Sequence, residues 1–124
     1  MSNKPKGELT IQMLAMPKET NPFGDIFGGW LISQMDIAGG VYCMKVAKGR
    51  VATVAIDKMA FEHPVFTGDT VYCYVQKLKT GRTSITVHIE VYVNRKYDFE
   101  NLVKVTDGVF TYVKIDENRK PIPL

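Results

Sequence analysis

The run GGWLISQMDIAGGVYCMKVA, Gly28 to Ala47, reads as one long helix, although Gly39-Gly40 interrupts it. Lys48-Gly49-Arg50 closes it, with Gly49 the expected C-terminal cap. Upstream, LTIQMLAM (Leu9 to Met16) reads as a short first strand, and PKETNPFG (Pro17 to Gly24) is turn chemistry. Downstream, four segments rich in Val, Ile, Thr, Tyr and Phe read as strands: Val51 to Phe61, Asp69 to Lys79, Thr83 to Asn94 and Leu102 to Ile115. His63-Pro64 and Thr67-Gly68 break the first pair, Thr80-Gly81-Arg82 makes a tight hairpin connection, and NRKYDFEN (Asn94 to Asn101) is a charged loop. The order β-α-β-β-β-β predicts an α+β domain: one helix laid across an antiparallel sheet whose last four strands form a meander.

The bulk properties narrow the field. The chain has 124 residues, enough for one domain over positions 1–124, and 45% of them are hydrophobic. A domain of this size stays rich in surface, so a homo-oligomeric interface would help to bury the excess. The formal charge of +3 permits an anionic ligand but falls short of a nucleic-acid-binding surface. Cys43 and Cys73 both lie in apolar runs with no CxxC pairing, and read as buried free thiols. The start, MSNKPKGELT, is basic but has no apolar segment behind it, and no stretch is long and apolar enough for a membrane span. These features predict a cytoplasmic protein.

A helical wheel picks out one carboxylate. Gln34 and Lys45 fall close together and mark an expected wet face, whereas Asp36 lies opposite, beside Gly29, Ile32, Gly40 and Cys43. A carboxylate among apolar and glycyl neighbours is costly unless it has partners or a task, so Asp36 is a candidate catalytic or structural acid. Gly28-Gly29 opens the helix, where backbone N–H groups lack internal acceptors and the macrodipole is positive. Glycines there allow close approach, as an oxyanion site would need, or simply make a loop-to-helix turn. Gly39-Gly40 reads as a place where another backbone packs closely against the helix.

Spacing adds a constraint. Gly29 and Asp36 are seven residues apart, or roughly 10 Å along a helix axis. One carbonyl group cannot easily touch both. A second, antiparallel copy of the helix would bring its Asp36 to the first copy's N-terminus, which predicts a two-fold dimer with two composite sites.

The stretch TNPFGDIFGGWLISQMD, Thr20 to Asp36, strongly resembles the signature of the YciA-type acyl-CoA thioesterases. The likeness extends through LAMP (Leu14 to Pro17), GRVATVAID (Gly49 to Asp57), FEHPVFTGD (Phe61 to Asp69), KTGRTSI (Lys79 to Ile85) and DGVFTYV (Asp107 to Val113). Several spaced motifs in order are more specific than any one of them. The resemblance implies a hot-dog fold, in which a curled five-stranded antiparallel sheet wraps one central helix. It implies hydrolysis of acyl-CoA to a free acid and CoA by a homodimer with its helices side by side, assembling further as a trimer of dimers. It maps the catalytic acid onto Asp36, the loop asparagine onto Asn21 and the oxyanion-binding backbone onto Gly28-Gly29, with asparagine and acid from opposite subunits. Read alone, Asn21 before Pro22 would be a turn former.

Asp36 then acts either as general base on water or as the attacking nucleophile. No cofactor is implied, because CoA is part of the substrate, and no metal, because His63 and His88 lack a set of co-ligands. The CoA phosphates call for cations and backbone donors. Lys77, Lys79, Arg82, Thr83 and Ser84 surround the Gly81 turn and suit that need, and the resemblance favours CoA contact at Gly81, Arg82 and Ser84. His63 stands either at the border of the substrate channel or in a structural turn. A hot-dog dehydratase would use a histidine paired with a carboxylate, and the helix and the loop before it carry no histidine. A non-catalytic acyl-CoA sensor of the regulator type would need a DNA-binding segment that the short N-terminal lead leaves no room for; a sensor acting through a partner protein is the remaining alternative.

Overall fold

The computed structural model describes residues 4–124, so the first three residues of the basic N-terminal lead lie outside the described residues. Along the chain come strand β1 (Glu8–Leu14), a short 3-10 turn (Pro17–Glu19), helix α1 (Gly28–Ala47), then β2 (Val51–Phe61), β3 (Thr70–Thr80), β4 (Ser84–Asn94) and β5 (Leu102–Lys114). Strand ends differ from the sequence reading by a residue or two, the usual scatter at such boundaries.

The helix runs without a break through Gly39-Gly40. One side of it, with Leu31, Met35, Ala38, Gly39, Cys43 and Ala47, is buried and touches every strand. In β4 the residues Ile85, Val87, Ile89, Val91 and Val93 are fully buried beneath it. Alternation sends His88 to the opposite face of the sheet. The helix ends at Lys48 rather than at Gly49: Lys48 takes a left-handed conformation (φ 54°) and its N–H reaches the Met44 carbonyl at 2.8 Å. A left-handed backbone costs a residue with a Cβ roughly 1 kcal/mol, so a glycine belongs at this position. Lys48→Gly is therefore expected to raise stability by about 0.5–1 kcal/mol, read as a higher urea midpoint with an unchanged m-value.

The strand order also departs from expectation. The sheet order is β1-β3-β4-β5-β2, all antiparallel, so the meander has three strands and not four. β3 already has β1 on one side (Leu14 against Thr70) and β4 on the other, and β2 pairs with the free edge of β5 instead. The connection from Glu62 to Asp69 permits this, because eight extended residues reach about 26 Å and two intervening strands demand only about 14 Å. The result is an open five-stranded antiparallel sheet packed on one long helix, the hot-dog arrangement.

The expected wet face of the helix is only partly wet. Gln34 is buried, at 8% exposure, and does not mark a wet face. Lys45 is exposed as expected, but much of the free face is apolar: Ile37 is 52% and Met44 46% exposed. Beside it, edge strand β2 exposes Val54 at 57% and Ile56 at 42%. A wheel that looks for polar residues cannot find a solvent face made of apolar ones.

Candidate active site

Asn21 folds the loop before the helix. Its side-chain oxygen accepts the backbone N–H of Phe23 at 2.9 Å and of Asp25 at 3.1 Å. Both partners are donors, which identifies that atom as Oδ1. Among the described residues nothing accepts from its Nδ2, and Asn21 lines a cavity of about 320 Å³ with Gly28, Phe61, His63 and Pro64. It is thus both a turn former and the owner of a free amide donor.

Gly28 and Gly29 form the mouth of the helix. The carbonyl of Phe27 takes the N–H groups of Trp30 and Leu31, and no side chain caps the end. Among the described residues the N–H groups of Gly28 and Gly29 have no acceptor, and the first turn carries no acidic residue. A Cβ on Gly29 would meet nothing within 4 Å, and one on Gly28 only the Phe61 ring at 3.5 Å. The protein itself does not require glycine here for packing; the open space is room for a ligand atom beside two unused donors. His63 lies in the same cavity and its Nδ1 sits 3.0 Å from the Lys104 carbonyl. A carbonyl only accepts, so Nδ1 carries a proton and donates it there.

Asp36 is elsewhere. It lines a second cavity, of about 280 Å³, with Ile37, Gly40, Val41, Met44, Val51, Thr53 and Tyr112. Its Oδ1 accepts the Thr53 hydroxyl at 2.6 Å and the Tyr112 hydroxyl at 2.9 Å. The Tyr112 hydroxyl also lies 2.9 Å from the Asp36 main-chain oxygen. Burial, followed by the charge of Asp36, pushes the Tyr112 phenol far up, so it stays a donor at any working pH. Among the described residues no hydrogen bond reaches Oδ2. Thr53 and Tyr112 were not singled out in the sequence; the available signal was their place inside the GRVATVAID and DGVFTYV segments.

The hairpin from Gly81 to Thr83 lies at the Asp36 end of the sheet. Thr80, Ile85, Tyr112 and Thr53 stand in one cross-strand row, one step from the tip. The tip is closed by the Gly81 N–H on the Ser84 carbonyl at 2.8 Å, and the Leu124 N–H holds the Arg82 carbonyl at 3.0 Å. Lys77, Lys79 and Arg82 are exposed, and among the described residues none of them is in a salt bridge. The sequence-predicted site thus falls into two parts in one chain. Asn21, Gly28 and His63 share one cavity, Gly29 sits beside it, and Asp36 lies about 12 Å along the helix with the hairpin.

Other nucleophiles are poor. Burial pushes the thiols of Cys43 and Cys73 up to about 12, and both are free. They stay protonated near neutrality. A histidine–carboxylate pair does exist, His88 with Asp107 at 2.7 Å, but on the sheet face away from the helix and from both cavities.

Residues 23–96 match the family model of the thioesterase superfamily. The chain belongs to this superfamily. It is 48% identical to the acyl-CoA thioester hydrolase YciA of Salmonella typhimurium, with 100% of this chain and 95% of that protein aligned. The structure matches that of a hexameric thioesterase from Yersinia pestis with a TM-score of 0.92 and 50% identity over 98% of each chain. It also matches a hexameric hot-dog thioesterase of Campylobacter jejuni with a TM-score of 0.88 and 40% identity over 95% of this chain and 90% of the other. In this thioesterase-superfamily chain the matched segment covers Asn21's loop in part, the whole helix and Thr53, and ends before Tyr112.

Proposed function

We propose that the protein is an acyl-CoA thioesterase that works at composite sites between two subunits. The carrying observation is the division of the chemistry: unused donors at Asn21 and Gly28 in one cavity with Gly29 beside it, the Asp36 carboxylate in another. The donors of one subunit would hold the thioester oxygen, and Asp36 of the other would drive attack. A bond forms from the attacking oxygen to the carbonyl carbon, the C–S bond breaks, and CoA leaves as thiol. Either Asp36 takes a proton from the attacking water and passes it to the departing thiolate, or its carboxylate attacks to form a mixed anhydride, which a water then hydrolyses to the free acid and the restored Asp36 carboxylate while supplying the thiol's proton. The names of the relatives support acyl-CoA as substrate, and the free cations at Lys77, Lys79 and Arg82 suit its phosphates, with Gly81, Thr83 and Ser84 shaping the turn.

The partner is a second copy of the chain. Ile37 and Met44 on the helix and Val54 and Ile56 on the β2 edge form an apolar surface of the kind a self-complementary interface covers. The hexameric assemblies of the Yersinia and Campylobacter proteins support a trimer of such dimers. No described helix is long and apolar enough to cross a membrane. With two free thiols, we assign the protein, as a single domain, to the cytoplasm.

The test is release of free thiol from acyl-CoA substrates of graded chain length. Turnover on at least one of them is expected. Binding of acyl-CoA without any thiol release would move the reading to a sensor.

A further inference from the structure

Asp36 is held by a device that spans the sheet and the helix. Tyr112, on β5, is 1% exposed, and its ring stacks on Phe110 at 6.4 Å with 14° between the planes. On the helix side it meets Gly39. A Cβ built on Gly39 would run into the Tyr112 hydroxyl, and would come within 2.8 Å of both the ring edge and Ile89 Cδ1. No side chain fits there, so the glycine is a socket for the phenol and not, as the sequence suggested, for another backbone. Seated in it, the hydroxyl lies 2.9 Å from both the carboxylate and the main-chain oxygen of Asp36.

This contact has a directional consequence. Tyr112 and Thr53 both donate to Oδ1 and turn the carboxylate in one sense, leaving Oδ2 without a hydrogen bond among the described residues, in a residue that lines the cavity. A carboxylate on an open helix face would otherwise sample several rotamers. Tyr112 is fixed by packing on several sides, so its hydroxyl position is preset before any substrate arrives.

We propose that Tyr112 is a positioning residue for the hydrolytic reaction, with Gly39 as its socket: it orients the Asp36 carboxylate and leaves Oδ2 free for attack or proton transfer. This rests on the reading of Asp36 as the reacting acid. The conservative variant Tyr112→Phe keeps the ring and its packing and removes only the hydroxyl. Its kcat is expected to fall about ten- to hundredfold while KM changes less than about twofold. In an Asp36→Asn background the same substitution is expected to cause no further loss, because there is no carboxylate left to orient. Unchanged kcat in Tyr112→Phe, with Asp36→Asn inactive, overturns the positioning role alone. An equal proportional loss in both backgrounds also overturns it, since that is the mark of general structural support. Full activity in Asp36→Asn itself overturns the underlying reading and this proposal together.

Discussion

Asp36→Asn is expected to fold, assemble and bind acyl-CoA, and to lose about a thousandfold or more in kcat, or about 4 kcal/mol of transition-state stabilisation. The substitution is nearly isosteric. The amide oxygen can still accept from Thr53 and Tyr112, which now meet at Oδ1. What disappears is the negative charge and with it the capacity to take a proton or to attack a carbonyl. KM should stay close to that of the parent, because the proposed CoA contacts lie at the hairpin cations and not at Asp36. Steady-state release of thiol, with circular dichroism to verify the fold, is the measurement. Retained full activity would remove Asp36 from the chemistry. A large rise in KM at unchanged kcat would make it a binding residue.

Much of the fold was legible because local chemistry decides it. β-branched and aromatic runs bounded by Pro, Gly and Asn marked every strand within a residue or two, and GGWLISQMD opened the helix where it was expected. The place of β2 was not legible. Pairing depends on which sheet edge is free, and β1 claims the outer side of β3, which no local pattern records. Gln34 misled for a related reason. A buried glutamine and an exposed Ile37 reverse the polarity that a wheel assumes, and in the proposed dimer that apolar face would meet a second subunit.

The candidate site could be read from the sequence in its motif residues, and the side chains that contact them could not. Asn21, Gly28, Gly29 and Asp36 sit within one short segment, where order and spacing carry information. Thr53 and Tyr112 reach Asp36 from β2 and β5, far along the chain, through cross-strand register. Gly39 shows the same limit from the other side. The sequence gives a helical glycine without its reason, and the reason is a tyrosine seventy-three positions away. Asn21 held two truths at once: its Oδ1 builds the turn that an Asn-Pro pair suggests, while its Nδ2 remains available.

A site built from two subunits makes two differently disabled chains complement each other when mixed. Asn21→Ala removes the amide proposed to position the carbonyl or the water, a change expected to cost about a hundredfold or more, and Asp36→Asn removes the proposed acid. Each homodimer should be nearly inactive. In a mixed dimer one site receives Asn21 from one chain and Asp36 from the other, both intact, while the second site receives both defects. Random one-to-one re-association gives heterodimers in about half of the population, each with one working site, so about a quarter of parental activity should return. Co-refolding the two variants and assaying thiol release measures it. Recovery near that level is the predicted result. A mixture no more active than its two components, with subunit exchange verified by mass spectrometry, would contradict the cross-subunit site.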